Sequence, residues 1–277
     1  MTIIDAQVHI WKPETADRPY IKEDASKPHR PVPLTYESLL QDMQTASVDR
    51  VILVPPSWDG YRNDYALEAA QKYPDRFGVM GKVPLNDPAS KSRLSGWLKQ
   101  PGMLGFRISF RHGGTHSWLD DGTADWFWAD CEKYDIPVMI FVPFAPAKIG
   151  AIAARHPALR VIVDHMGMNV QWKGKDLGPA VDVILPFARM PNVAVKASCL
   201  PCYVDEKYPF PTLHPQIRRV VDAFGPQRVF WGTDLSQSPC PYRQAVSLFT
   251  EELKFLSDTD KEWIMGKGLA QWLRWKI

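Results

Sequence analysis

The chain is short of cysteine, of net charge and of long apolar runs, and each shortage removes a class of protein. Its four cysteines, Cys131, Cys199, Cys202 and Cys240, are spread over 277 residues, far below the density of a disulfide-stapled scaffold. The formal net charge of +2 is too small to suggest a nucleic-acid or membrane-surface partner. No apolar stretch approaches the roughly 20 residues that a membrane helix needs. The opening residues Met1-Thr2-Ile3-Ile4-Asp5 lack a basic region followed by an apolar one, which is the layout of a signal peptide. A reduced, cytoplasmic chain without nucleic-acid or membrane partner is the expectation. No G-x-G-x-x-G or G-x-x-x-x-G-K turn follows the first apolar segment, so a nucleotide-binding open sheet is disfavoured. Internal repeats, low-complexity tracts and linkers are also lacking.

What is present is a regular alternation. Short segments rich in Val, Ile and Phe occur at residues 3–9, 50–54, 77–83, 103–109, 138–142, 160–165, 193–198 and 228–234. Their near-continuous apolar character suits parallel strands buried on both faces. Segments with helical spacing lie between and after them, at 63–73, 88–98, 125–134, 146–155, 178–188, 215–224 and 242–253. Asp258-Thr259-Asp260 opens a last helix that runs to about Trp272. Eight βα units point to an α/β fold: a single (β/α)8 TIM barrel over residues 1–277, with room for distortion, carrying a C-terminal helix. The length agrees with the about 250 residues typical of that barrel. The irregular stretch 12–33 follows strand one and would overhang the catalytic face. The apolar segment 269–275 is suited to pack on the barrel or on a partner copy, which leaves a homo-oligomer open.

Three polar residues end three of the strands: His9, His165 and Asp234. Barrel active sites are built at that position, where a buried strand meets the C-terminal mouth. One strand-end histidine is readily a satisfied structural residue. Three groups facing one mouth are harder to explain that way.

These residues carry a resemblance. His9 is followed by Trp11, His165-Met166-Gly167 ends strand six, and Gly232-Thr233-Asp234 ends strand eight. The order resembles the amidohydrolase superfamily, in its amidohydrolase-2 group, which holds 2-pyrone-4,6-dicarboxylate lactonase-like and sugar-lactonase-like hydrolases and aromatic-acid decarboxylases. Members start with His-x-His on strand one, and here Gln7 replaces the first His. The strand-five text ends at Val142-Pro143 without the His or Lys that many members place there. A tightly held divalent ion wants three or four imidazole or carboxylate ligands. Only His9, His165 and Asp234 remain, so no metal is expected and no cofactor is required. If a metal is bound, those three residues hold it, as zinc or manganese.

The residue types then suggest a hydrolase that opens a lactone, or a related cyclic ester or amide, of a small carboxylate. Asp234 takes a proton from water, which burial of the carboxylate would assist. His9 and His165 donate to the carbonyl oxygen, a role worth roughly 3–4 kcal/mol per donor in known cases, and Gln7 adds an amide donor. Arg107 offers a planar fork to a substrate carboxylate, a role that the resemblance also implies; an internal salt bridge to Asp5 or Asp164 is the bland alternative. Arg111 and His112 are weaker candidates, and Lys196 is either structural or substrate-binding. Trp11, Trp58 and Tyr203 follow strand ends and suit a planar or cyclic substrate, with Trp58 and Tyr203 taken as substrate contacts. Cys199-Leu200-Pro201-Cys202 is one C-x-x-C, a weak metal or redox signal. His29, His116, His156 and His214 are expected to be solvated. The family context implies breakdown of aromatic or sugar acids. A metal-dependent decarboxylase or hydrolase is the second reading, and a catalytically dead binding protein the third.

Overall fold

The computed structural model describes residues 1–21, 27–111, 115–169 and 172–276. Its strands are β1 (Ile4–Val8), β2 (Arg50–Leu53), β3 (Phe77–Gly81), β4 (Met103–Ser109), β5 (Val138–Phe141), β6 (Val161–Val163), β7 (Val193–Ala197) and β8 (Val229–Trp231). They lie in chain order in one parallel sheet. Parallel neighbours need a crossover, supplied by α1 (Tyr36–Ala46), α2 (Asp64–Lys72), α3 (Pro88–Arg93), α4 (Asp125–Lys133), α5 (Ala147–Arg155), α6 (Gly178–Ile184) and α7 (Leu213–Phe224). After β8 come α8 (Tyr242–Ser247), α9 (Asp258–Glu262) and α10 (Gly268–Leu273). The expected (β/α)8 barrel is the architecture observed.

Two helix readings need correction. No helix was expected between the first two strands, yet α1 fills that place. Its buried stripe Tyr36, Leu39, Met43 and Ala46 has helical spacing, and Thr35 caps it in a reciprocal exchange with Ser38. The last helical segment opens at Asp258 as expected, but its cap is Ser257 rather than an aspartate: the Ser257 hydroxyl accepts from Asp260 N, and the Asp260 carboxylate answers the Ser257 backbone.

The barrel interior explains where charge can sit. Ile4, Ala6, Ile52, Val54, Met80, Met139, Ile162, Ala194 and Phe230 form an apolar plug. Side chains two residues apart on a strand share a face. Asp164 therefore stands one step above Ile162, and Lys196 one step above Ala194, both toward the mouth. Leu269, Ala270 and Leu273 of α10 seal the opposite end of the same plug, at roughly 1.5–3 kcal/mol per buried leucine. The 269–275 segment thus packs on its own barrel. Gly266 lets the chain reach that position, because a Cβ there would lie 2.4 Å from Thr2 O.

The distortion lies at the seam. Ladders join β1 to β2 and onward to β8, but none joins β8 to β1 among the described residues. Asp234 N donates to Gln7 O at 3.0 Å instead. The Asp5 carboxylate clamps the two edges by accepting from Gln7 N, Thr233 N, the Thr233 hydroxyl and the Tyr242 hydroxyl. Burial outweighs those four donors and pushes Asp5 up to about 6.

Candidate active site

At the C-terminal mouth the chain leaves three strands through left-handed turns. His165 (φ 54°) and Met166 (φ 53°) follow β6, Cys199 (φ 61°) follows β7, and Asp234 (φ 54°) follows β8. Each such residue costs on the order of 1–3 kcal/mol, and strain of this kind gathers at functional sites. The three expected strand-end residues lie just beyond their strands, turned back over the barrel, and the structure brings them together. His9 Nε2 is 3.2 Å from Asp234 Oδ1, and His165 Nε2 is 3.8 Å from Asp234 Oδ2.

The hydrogen bonds assign protons. His9 Nδ1 lies 2.7 Å from Val54 O, and a carbonyl only accepts, so Nδ1 carries the proton. Burial, only partly offset by Asp234, pushes the His9 imidazole down to about 3, so at neutral pH Nε2 is a lone pair. Burial likewise pushes His165 down to about 4, against the pull of Asp164 and Asp234. His165 Nδ1 bonds the Ser198 hydroxyl at 2.8 Å; that hydroxyl can donate, which frees Nε2–H to act as donor. Asp234 is almost fully buried. Burial would raise its carboxyl, but His9, His165, His29 and Arg107 together hold it below the ordinary carboxylate value. The expected elevation is thus reversed. Gln237 Nε2 donates to Asp234 Oδ2 at 2.6 Å, while Oδ1 has no donor among the described residues. His9 Nε2 and Asp234 Oδ1 are two acceptors facing each other, so any hydrogen between them must come from a third group.

Beneath this cluster lies an ionic floor. Asp164 Oδ1 is 2.8 Å from Lys196 Nζ, and Oδ2 accepts from Arg107 Nε at 2.9 Å. Burial would raise the Asp164 carboxyl, yet Lys196 and Arg107 hold it well below the usual range. Lys196 also donates to Gln7 Oε1, which turns the Gln7 amide nitrogen toward His9 Nε2, 3.4 Å away. Gln7 and Lys196 are fully buried and do not line the cavity; they lie under it and set its electrostatics. The Arg107–Asp164 salt bridge uses Nε alone. The two terminal nitrogens of Arg107 have no partner among the described residues, and the side chain lines the cavity.

Trp58, Tyr203 and Arg111 line the same cavity. Trp11 is buried behind Trp58, edge-on at 5.2 Å. Together Arg107, Arg111 and Lys196 set three cations against the two carboxylates Asp164 and Asp234, a balance that suits an anionic ligand. His112 lies outside the described residues. His116, His156 and His214 do not line the cavity; they bond Arg111 O, the Glu132 carboxylate and Pro209 O. All four cysteines are free thiols, although Cys199 lines the cavity.

His29 is the residue that the sequence reading missed. It was expected to be solvated, yet it lines the cavity beside His9 and Asp234. The one available signal is the long 12–33 loop that carries it. Lys82 and Tyr61 were also missed. They line an adjoining lobe that shares Ser57, Arg107 and Ser109 with the first.

The pH response follows from these shifts. We expect activity to be lost only as pH falls to about 4, where His165 protonates, and about 3, where His9 does, with Asp234 held below its ordinary carboxylate value. We expect kcat/KM to stay flat from roughly pH 5 to 8. An acid limb centred near 6.5, the ordinary histidine value, would contradict buried neutral rings.

A model of the amidohydrolase family matches residues 4–268, from the first residue of β1 into α10. The chain belongs to the amidohydrolase family. It is 26% identical over 239 residues to the L-fucono-1,5-lactonase of Burkholderia ambifaria, covering 83% of this chain and 79% of that protein. It is 26% identical over 236 residues to the 4-sulfomuconolactone hydrolase of Hydrogenophaga intermedia, covering 84% and 74%. Among solved structures, an amidohydrolase from Burkholderia multivorans with bound zinc superposes with a TM-score of 0.82 at 21% identity, over 99% of each chain.

The zinc in that relative raises the question of fit. In this amidohydrolase the oxygen of Gln7, its only ligand atom, already accepts from the Lys196 ammonium. Among the described residues no group of three His, Cys, Asp or Glu is arranged to hold an ion. A cation at the strand-one position would also meet the Lys196 ammonium. These residues do not fit a tightly held metal.

Proposed function

We propose that this amidohydrolase opens a lactone, or a related cyclic ester or amide, of a carboxylate-bearing small molecule, and that it does so without a metal. The observation that carries the reading is Asp234 Oδ1: a buried, ionised acceptor without a donor among the described residues, opposed to the His9 lone pair. A water molecule supplies the missing hydrogens, and the two acceptors then hold it as a nucleophile. The water oxygen bonds to the carbonyl carbon while Asp234 takes its proton. The carbonyl oxygen gains the charge, and His165 Nε2–H is placed to hold it. The ring C–O bond then breaks to leave a hydroxy acid. His9 differs here from the role expected of it: its only N–H is engaged with Val54 O, so it sits on the water side rather than polarising the carbonyl. The two lactone-acting relatives support the same reaction class.

Purified protein treated with chelator should release acid from a panel of carboxylated lactones, followed with a pH indicator. Carbon dioxide release from aromatic acids, or activity that returns only with added zinc or manganese, would overturn the reading. Loss of the Arg107 fork tests the substrate class. For Arg107→Met we expect KM to rise roughly 10–100-fold for a carboxylated lactone, the worth of a charged hydrogen-bond set. The methyl ester of the same lactone should be almost unaffected. Equal effects on both would place the substrate carboxylate elsewhere.

A further inference from the structure

The described parts of the loop between β1 and α1 are tied to the barrel on both legs. On its outgoing leg Arg18 bonds Asp59 and Asp64, and Ile21 N donates to Trp58 O at 2.8 Å. On its return leg Arg30 Nη2 donates to Leu235 O at 2.7 Å and Nε to Ser236 O at 3.2 Å. His29 sits between these anchors. Its Nδ1 bonds the Ser236 hydroxyl at 2.8 Å, and its ring stands edge-on to Trp58 at 4.6 Å and to His9 at 5.7 Å. The loop thus delivers a third imidazole to the cavity wall on the β8, β1 and β2 side. His165 approaches from the other side, between Phe141 at the end of β5 and Ser198 after β7. Asp234 lines the same cavity, 3.2 Å from His9 on one wall and 3.8 Å from His165 on the other.

An ester carbon carries two oxygens that diverge from it. A site that attacks this carbon from Asp234 and holds the carbonyl oxygen on one wall presents the ring oxygen to the opposite wall. We propose that His29 is a catalytic residue that contacts the ring oxygen and protonates it as the C–O bond breaks. The assignment rests on the lactone reading. The proton balance closes within the site. Water gives its proton to Asp234, that proton passes to His29, and His29 hands it to the departing alkoxide, which becomes the product hydroxyl. His29 ends as it began, and no external acid enters. Burial holds the His29 imidazole below its ordinary value, so a proton placed on it is readily surrendered. His9 cannot replace it, since its single N–H is held by Val54 O.

The test is the dependence on the leaving group. A carboxylated aliphatic lactone, 5-oxotetrahydrofuran-2-carboxylate, expels an alkoxide, which needs a proton; a carboxylated dihydrocoumarin expels a phenolate, which does not. Wild type, His29→Asn and His29→Gln are assayed on both, with thermal melts to confirm that the variants fold. We expect kcat on the aliphatic lactone to fall about 10²–10⁴-fold. On the carboxylated dihydrocoumarin it should fall less than about 10-fold, since a stable leaving group removes the need for the acid. Equal losses on the two substrates, or no loss on either, would overturn the assignment while leaving the lactone reading intact. Wild-type protein inactive on both would overturn the lactone reading and this assignment with it.

Discussion

Asp234→Asn is expected to lower kcat by about 10²–10⁴-fold, the range for removal of a general base, while the protein becomes no less stable. The two halves of this result have one cause. In the native site Asp234 Oδ1 faces His9 Nε2 at 3.2 Å, acceptor against acceptor. Asparagine can keep its oxygen on Gln237 Nε2 and turn its amide nitrogen toward His9. The substitution then replaces an unsatisfied buried acceptor with a hydrogen bond, worth about 1 kcal/mol. A site whose strain belongs to its chemistry gives this trade of activity for stability. Steady-state kinetics and a melting curve on the same preparation decide it. Unchanged kcat would remove Asp234 from the mechanism, and a large drop in melting temperature would show that the facing acceptors are not strained.

Lys196→Met is expected to destabilise the fold by about 3–5 kcal/mol, the penalty for leaving a buried charge without its partner. Lys196 is fully buried and is 2.8 Å from Asp164. Without it Asp164 keeps only the Arg107 contact, and Gln7 loses the donor that orients its amide. The pH dependence should change sign. In the native protein Asp164 is held below its unfolded value, so it contributes stability that is lost as pH falls through the folded value. Without Lys196, burial pushes the Asp164 carboxyl up, and the destabilisation shrinks as pH falls and the carboxyl protonates. Lys196→Met combined with Asp164→Asn should recover most of the loss. Urea unfolding at several pH values measures all three. A loss below about 1 kcal/mol, the scale of an exposed ion pair, would mean that solvent reaches this floor.

His29 shows why part of the site was illegible. A histidine in an irregular, proline-rich loop carries no periodic signal, and its position depends on anchors at Asp59, Asp64, Leu235 and Ser236. Those partners lie in other βα units, so nothing near residue 29 in the chain encodes them. The helix α1, in contrast, was legible and missed: its stripe from Tyr36 to Ala46 has the spacing that revealed its neighbours.

The sequence by itself determined the eight strands, their alternation with helices, and the strand-end placement of His9, His165 and Asp234. These are local properties: periodicity, turn residues, and a polar group where a buried run stops. It also showed, through Gln7, that the strand-one histidine pair is incomplete. Only the tertiary structure decided what Gln7 does. Its oxygen is taken by Lys196, which comes from β7. Only the fold chose Asp164 over Asp5 as the partner of Arg107, left Asp5 to clamp the seam, and set the His9 tautomer through Val54 O. Each choice is between groups far apart in the chain. Coulomb attraction and hydrogen-bond geometry act over a few ångströms of space, and closure of the barrel is what brings those groups within that range.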